Sequence, residues 1–130
     1  MTNEYEHLNA IQKIGLSILK EIIAICKRHD LTYYVYGGTL LGAIRHQGFI
    51  PWDDDLDIGM FRQDYEKFLE IAPVSLREQY KIIDWKSDQS YPHPMGKVIK
   101  REPFIKRVRE KIKGNREYGL MCFHMITYRI

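Results

Sequence analysis

From residue 4 to residue 28 apolar side chains recur at steps of three and four, as Leu8, Ile11, Ile14, Ile18, Leu19, Ile22, Ile25 and Cys26. That period predicts a long amphipathic helix with Gln12, Lys13, Ser17, Lys20, Glu21 and Lys27 on its polar side and His29-Asp30 at its end. The pattern then changes. Residues 31–36 are aromatic and β-branched, which predicts a strand running into Gly37-Gly38, and residues 39–46 predict a helix. Gly48-Phe49-Ile50-Pro51-Trp52 reads as a loop in which Pro51 biases Ile50 towards an extended backbone. Over residues 55–60 polar and apolar positions alternate, the period of a half-buried strand. Tyr65, Phe68, Leu69 and Ala72 return to helical spacing, and Pro73 is expected to stop that helix. Residues 80–85 and 96–99 read as short strands either side of a polar loop at 87–94, and residues 119–126 as a last apolar strand.

This mixture predicts an α+β fold, a small mixed sheet flanked by helices. The chain has 130 residues, 45% hydrophobic and 28% charged, which suits one domain with one core. Its two cysteines, Cys26 and Cys122, have neither the spacing of a zinc site nor that of a disulfide framework. No apolar run approaches 18 residues and the first residues lack the basic and apolar regions of a signal peptide, so a cytoplasmic protein without a transmembrane segment is expected.

Charge alters the picture more. Formal net charge is +3, and without Asp53, Asp54, Asp55 and Asp57 it would be +3 + 4 = +7, so an acidic centre sits in a basic background suited to anionic substrates. Residues 97–116 alone hold nine basic and two acidic residues, net +7. With Phe104 as their one aromatic, they read as a solvated or phosphate-steering face ahead of a nucleic-acid surface.

Gly37-Gly38, between an apolar strand pattern and a helix pattern, reads as a turn whose backbone N–H groups, with Thr39, can grip phosphate. Asp55-Leu56-Asp57-Ile58 turns two carboxylates to one face of a strand, and like charges held together call for a cation. Hard oxygen donors beside phosphates point to Mg²⁺, with Mn²⁺ as the alternative. A solvated acidic turn is the plainer reading of Asp53, Asp54 and Asp55, but the alternation with Leu56, Ile58 and Met60 is a strand pattern.

Gly-Gly followed by Leu-Leu-Gly-Ala-Ile-Arg-His, then Gly-Phe-Ile-Pro-Trp-Asp-Asp-Asp-Leu-Asp-Ile-Gly, resembles the LicD/fukutin-type phosphotransferases of the nucleotidyltransferase-fold superfamily. The resemblance implies one nucleotidyltransferase-like domain over residues 1–130, in a truncated or minimal form about half the family's length. It implies Mg²⁺-dependent transfer of a phospho-alcohol, phosphocholine being the best-known bacterial case, from a CDP-choline-like donor to a glycan, as in lipopolysaccharide or teichoic acid modification. On this reading Asp53, Asp55 and Asp57 are catalytic, Asp55 and Asp57 hold the metal, and Gly37, Gly38, Thr39, Arg45, His46 and Lys97 bind substrate. For Arg45 and His46 the alternative is a pair of last-turn basic residues favoured by the helix dipole; for Lys97, a solvated strand lysine. Trp52 either stacks on a base or sugar or covers the core.

The resemblance breaks near the end. Relatives place a further carboxylate in an apolar strand where this chain has Phe123, and His124 next to it would face the other way unless the register shifts. Asp84 is the nearest substitute, although a turn role is its simpler reading. Weak or no turnover is therefore expected. The rivals are a nucleotidyltransferase moving NMP, an inactive nucleotide- or metal-binding module and, resting on residues 97–116 alone, a nucleic-acid-binding protein.

Overall fold

A computed structural model describes residues 2–91, 95–101 and 123–128. Helix α1 (Thr2–Arg28) leads into strand β1 (Tyr34–Val35), helix α2 (Gly37–Arg45), strand β2 (Leu56–Phe61), helix α3 (Arg62–Ser75), and strands β3 (Tyr80–Ile83), β4 (Lys97–Lys100) and β5 (Phe123–Tyr128). The α+β expectation holds in this coarse sense. One sheet runs β1-β2-β5, with β1 antiparallel and β5 parallel to β2; β3 and β4 form an antiparallel pair.

Alternation along β2 divides the molecule. Leu56, Ile58 and Met60 are buried and join Ile18, Ile22 and Ile25 of α1, Tyr65, Phe68 and Ala72 of α3, and Tyr80, Ile82 and Val98 of β3 and β4 in one core. Each fully buried Ile, Val, Phe or Met among them stabilises the fold by roughly 1.5–3 kcal/mol. Asp57, out of phase with them, is half-buried on the other face of the strand, towards α2. Glu21 of α1, nearly buried, accepts from the backbone N–H of Arg77 at 3.0 Å and from its Nε at 2.8 Å, tying α1 to the end of α3.

Of the boundaries that differ from the sequence reading, three have a visible local cause, while residues 119–122 of the last predicted strand lie outside those described. The strand predicted over residues 31–36 shrinks to Tyr34–Val35, at the edge of its sheet. Asp30, at φ +53°, reverses the chain after α1, and Leu31 uses its N–H on the Cys26 carbonyl at 2.9 Å, so those residues close the helix and cannot join a ladder. Helix α2 begins at Gly37, two residues early. Helix α3 runs through Pro73 to Ser75. Proline removes one N–H near the helix end, and the helix still closes through the N–H of Leu76 on the Ala72 carbonyl at 2.9 Å.

Of the basic stretch, residues 97–100 form β4, and residues 102–116 lie outside those described. Among the described residues no helix is long and apolar enough to cross a membrane.

Candidate active site

The turn into α2 is shaped by its glycines. Tyr36 is extended, and Gly37 adopts φ +53°, a conformation that strains residues bearing a Cβ. A Cβ on Gly37 would lie 3.4 Å from Oδ2 of Asp57, and one on Gly38 only 2.8 Å from Oδ2 of Asp53. Bare backbone thus lets two carboxylates lie against the start of a helix, the end at which the helix dipole favours negative charge. The two halves of the sequence motif are in contact.

Both aspartates are held by their main chains. The N–H of Asp57 donates to Oγ1 of Thr39 at 2.8 Å, and its carbonyl accepts from the N–H of Tyr36 at 3.1 Å, so β2 is stitched to both sides of the glycine turn. Residues 50–53 form a turn closed by the Asp53 N–H on the Ile50 carbonyl at 2.9 Å. Oδ1 of Asp53 accepts from the N–H of Asp55 at 3.2 Å, and its carbonyl accepts from Nε2 of Gln12 at 2.8 Å. Gln12 is absent from the sequence-derived site. On a helix wheel it is one more polar residue, and its partner lies 41 positions away.

One carboxylate oxygen from each of Asp53, Asp54 and Asp55 falls within 4.8 Å of the others. These hard donors, next to a turn with no side chain in the way, fit a divalent cation of the Mg²⁺ or Mn²⁺ kind. The grouping brings in Asp54, which the sequence reading left aside, while the Asp57 carboxylate stands against Gly37.

The remaining candidates are spread out. Arg45 and His46 lie at the far end of α2, a nine-residue helix about 13 Å long. Nε of Arg45 donates to Nδ1 of His46 at 3.3 Å, and the His46 ring meets Trp52 edge-on at 6.2 Å between centroids. Trp52 is 72% exposed, so it does not cover the core. Lys97, in the second sheet, holds its ammonium 5.5 Å above the Tyr91 ring. Asp84 is buried in a turn, its Oδ1 accepting from the Ser87 N–H at 2.8 Å. In β5 the parallel register sets Phe123 opposite Leu56 and His124 opposite Asp57, so it is His124 that takes the register position beside the aspartate.

A cleft of about 620 Å³ opens beside the same turn. Gly38, Thr39 and Asp53 form its site end; Leu16 and Leu19 of α1, Ala43 of α2 and Phe49 line the rest, and Asp53 is its one charged wall residue among the described residues.

Residues 30–109 match the family described as LicD/FKTN/FKRP, nucleotidyltransferase domain. The lipopolysaccharide cholinephosphotransferase LicD of Haemophilus influenzae is 45% identical over 71 residues, 55% of this chain and 27% of that protein. An uncharacterised protein of Rickettsia typhi is 42% identical over 65 residues, 50% of this chain and 21% of the relative. The human ribitol 5-phosphate transferase FKRP is 40% identical over 43 residues, 33% of this chain and 9% of that protein. The matches thus span about a quarter or less of the relatives' lengths. No solved structure matches the chain significantly. The matched stretch carries the glycine turn, α2, the acidic loop and β2 together, and the chain belongs to the LicD/FKTN/FKRP nucleotidyltransferase-domain family.

Proposed function

We propose that the chain forms a nucleotidyltransferase-like domain that transfers a phospho-alcohol group from a CDP-type donor to a glycan hydroxyl, with Mg²⁺, or Mn²⁺ in its place. The observation that carries this reading is the contact between the Gly37-Gly38 turn and the Asp53 and Asp57 carboxylates. A phosphate grip and an acidic metal-binding set side by side are what phosphoryl transfer uses. The names of two relatives, a cholinephosphotransferase and a ribitol 5-phosphate transferase, support the phospho-alcohol class.

Asp55 and Asp57 would hold the metal, with the Asp53 and Asp54 carboxylates grouped beside that of Asp55, and the bound metal would supply charge neutralisation at the transferred phosphoryl group. The protein's own part is positioning. The N–H groups of Gly37 and Gly38 bind the donor diphosphate, and Thr39, whose oxygen already accepts from Asp57, donates its hydroxyl proton to the same phosphates. Asp53 takes the proton from the acceptor hydroxyl as that oxygen forms its bond to phosphorus; the bond from phosphorus to the nucleotide breaks in line, and CMP leaves. The cleft suits a phosphocholine-like donor better than a polyol phosphate, because the Phe49 ring and the Asp53 carboxylate in its wall offer partners to a trimethylammonium cation, whereas buried hydroxyls need hydrogen-bond partners that its apolar side chains do not supply.

A second reading, binding of metal and nucleotide without turnover, is favoured by one feature. The register position beside Asp57 holds His124, and Asp84 is engaged in its turn. Incubation with CDP-choline, Mg²⁺ and a lipopolysaccharide or teichoic acid acceptor separates the two: release of CMP that Asp57→Asn abolishes supports transfer, whereas metal-dependent binding without CMP release in the presence of acceptor supports the binding module.

A further inference from the structure

Asp53 has two local anchors: its N–H on the Ile50 carbonyl and its Oδ1 under the N–H of Asp55. A third comes from another element. Nε2 of Gln12 donates to the Asp53 carbonyl at 2.8 Å and lies 3.5 Å from the carbonyls of both Ile50 and Pro51, so one amide gathers three carbonyls of a single turn. The local anchors fix the turn's shape; its place on the protein is set by contacts with other elements, the close approach of Gly48 and Ile50 to Gly42 of α2 on one side and the Gln12 amide of α1 on the other. Gln12 projects from a helix whose neighbouring positions Ile11 and Ile18 are buried, which makes the helix a fixed support for a loop whose Pro51 and Trp52 are exposed. Gln12 also lies outside the residues, 30–109, that define the family match.

We infer that Gln12 is a positioning residue, whose amide holds the Ile50-Pro51-Trp52-Asp53 turn against α1 and so sets the place of the Asp53 carboxylate relative to Gly38, Asp54 and Asp55. Its consequence for metal binding rests on the function proposed above; its hold on the turn does not. Helix α1 is on this account part of the site, and it also supplies Leu16 and Leu19 to the adjoining cleft.

The test uses Gln12→Met and Gln12→Glu, which keep the side chain's length and suit a helix but remove the N–H donor. Lys13→Ala, at an exposed neighbour, is the control. Amide hydrogen exchange of residues 50–55 is read in the metal-free protein, alongside melting temperature and affinity for Mn²⁺ alone. Expected are faster exchange in both Gln12 variants, melting close to wild type, and Mn²⁺ affinity lower by on the order of tenfold, the scale for partners that orient metal ligands. Lys13→Ala changes none of these. Unchanged exchange in both variants overturns the inference, as does faster exchange with Mn²⁺ affinity intact. Wild-type protein that binds no Mn²⁺ contradicts the proposed function instead, and exchange still decides whether Gln12 holds the turn.

Discussion

The backbone N–H of Asp57 donates to the Thr39 hydroxyl at 2.8 Å, joining the strand that carries one acidic residue to the helix that opens with the glycine turn. A side-chain oxygen is here the acceptor for a sheet strand. Its loss leaves a half-buried N–H without that partner, which costs about 1–3 kcal/mol. Thr39→Val is expected to lower unfolding free energy in urea by about that amount, and Thr39→Ser to stay near wild type. Equal loss in both variants would assign the effect to the methyl group and not to the hydrogen bond.

Glycine at 38 and at 42 answers different needs. A Cβ at Gly42 meets backbone, the Gly48 carbonyl at 2.5 Å and the Ile50 nitrogen at 2.9 Å, where the loop crosses α2. Gly42→Ala is therefore expected to destabilise the fold by about 1–3 kcal/mol despite alanine's helix propensity. At Gly38 the obstacle is the end of the Asp53 side chain, which can swing away. Gly38→Ala should melt near wild type and lose metal-dependent stabilisation. A Gly42→Ala protein as stable as wild type would refute the close crossing.

Mg²⁺ or Mn²⁺ is expected to raise the melting temperature by mass action, and Asp55→Ala or Asp57→Ala to abolish that rise. Without metal the variants should be equally or more stable, since crowded carboxylates repel one another. Asp54→Ala separates the alternatives: loss of the metal response there puts Asp54 in the donor set. An unchanged response in both Asp55→Ala and Asp57→Ala removes them from it.

Burial pushes the Cys26 thiol up to about 12 from its ordinary 9.0, with Asp64 adding a smaller push. The folded state thus favours the neutral thiol. This contribution to stability is intact below pH 9.0 and is lost as pH rises towards about 12. Native protein should leave Cys26 unmodified by a thiol-specific disulfide reagent at neutral pH and expose it on unfolding. Rapid modification of Cys26 in the native state would contradict its burial.

What the sequence made legible follows from what periodicity can carry. The stripe of Ile18, Ile22 and Ile25 and the alternation of Leu56, Ile58 and Met60 are local patterns, and those residues lie in the core. The adjacency of glycine turn and aspartates was legible as well, because motif order in a short segment leaves few ways to fold it. Other features depend on contacts between distant segments. Nothing near Gln12 marks it as reaching Asp53, and the register of β5 on β2, which puts His124 and not Phe123 beside Asp57, is set by pairing across more than sixty positions. Pro73 misled because a proline near a helix end removes one N–H without obliging the chain to stop.

The most direct test of the account is calorimetric titration of CDP-choline into the protein with and without Mg²⁺, repeated with Asp55→Ala. If the glycine turn and the aspartates form one metal-dependent donor site, Mg²⁺ tightens binding by about tenfold or more, a gain of roughly 1.4 kcal/mol or above. Asp55→Ala then binds no better with Mg²⁺ than without. Equal affinity in the presence and absence of Mg²⁺, or a Mg²⁺ effect that survives Asp55→Ala, would contradict the account.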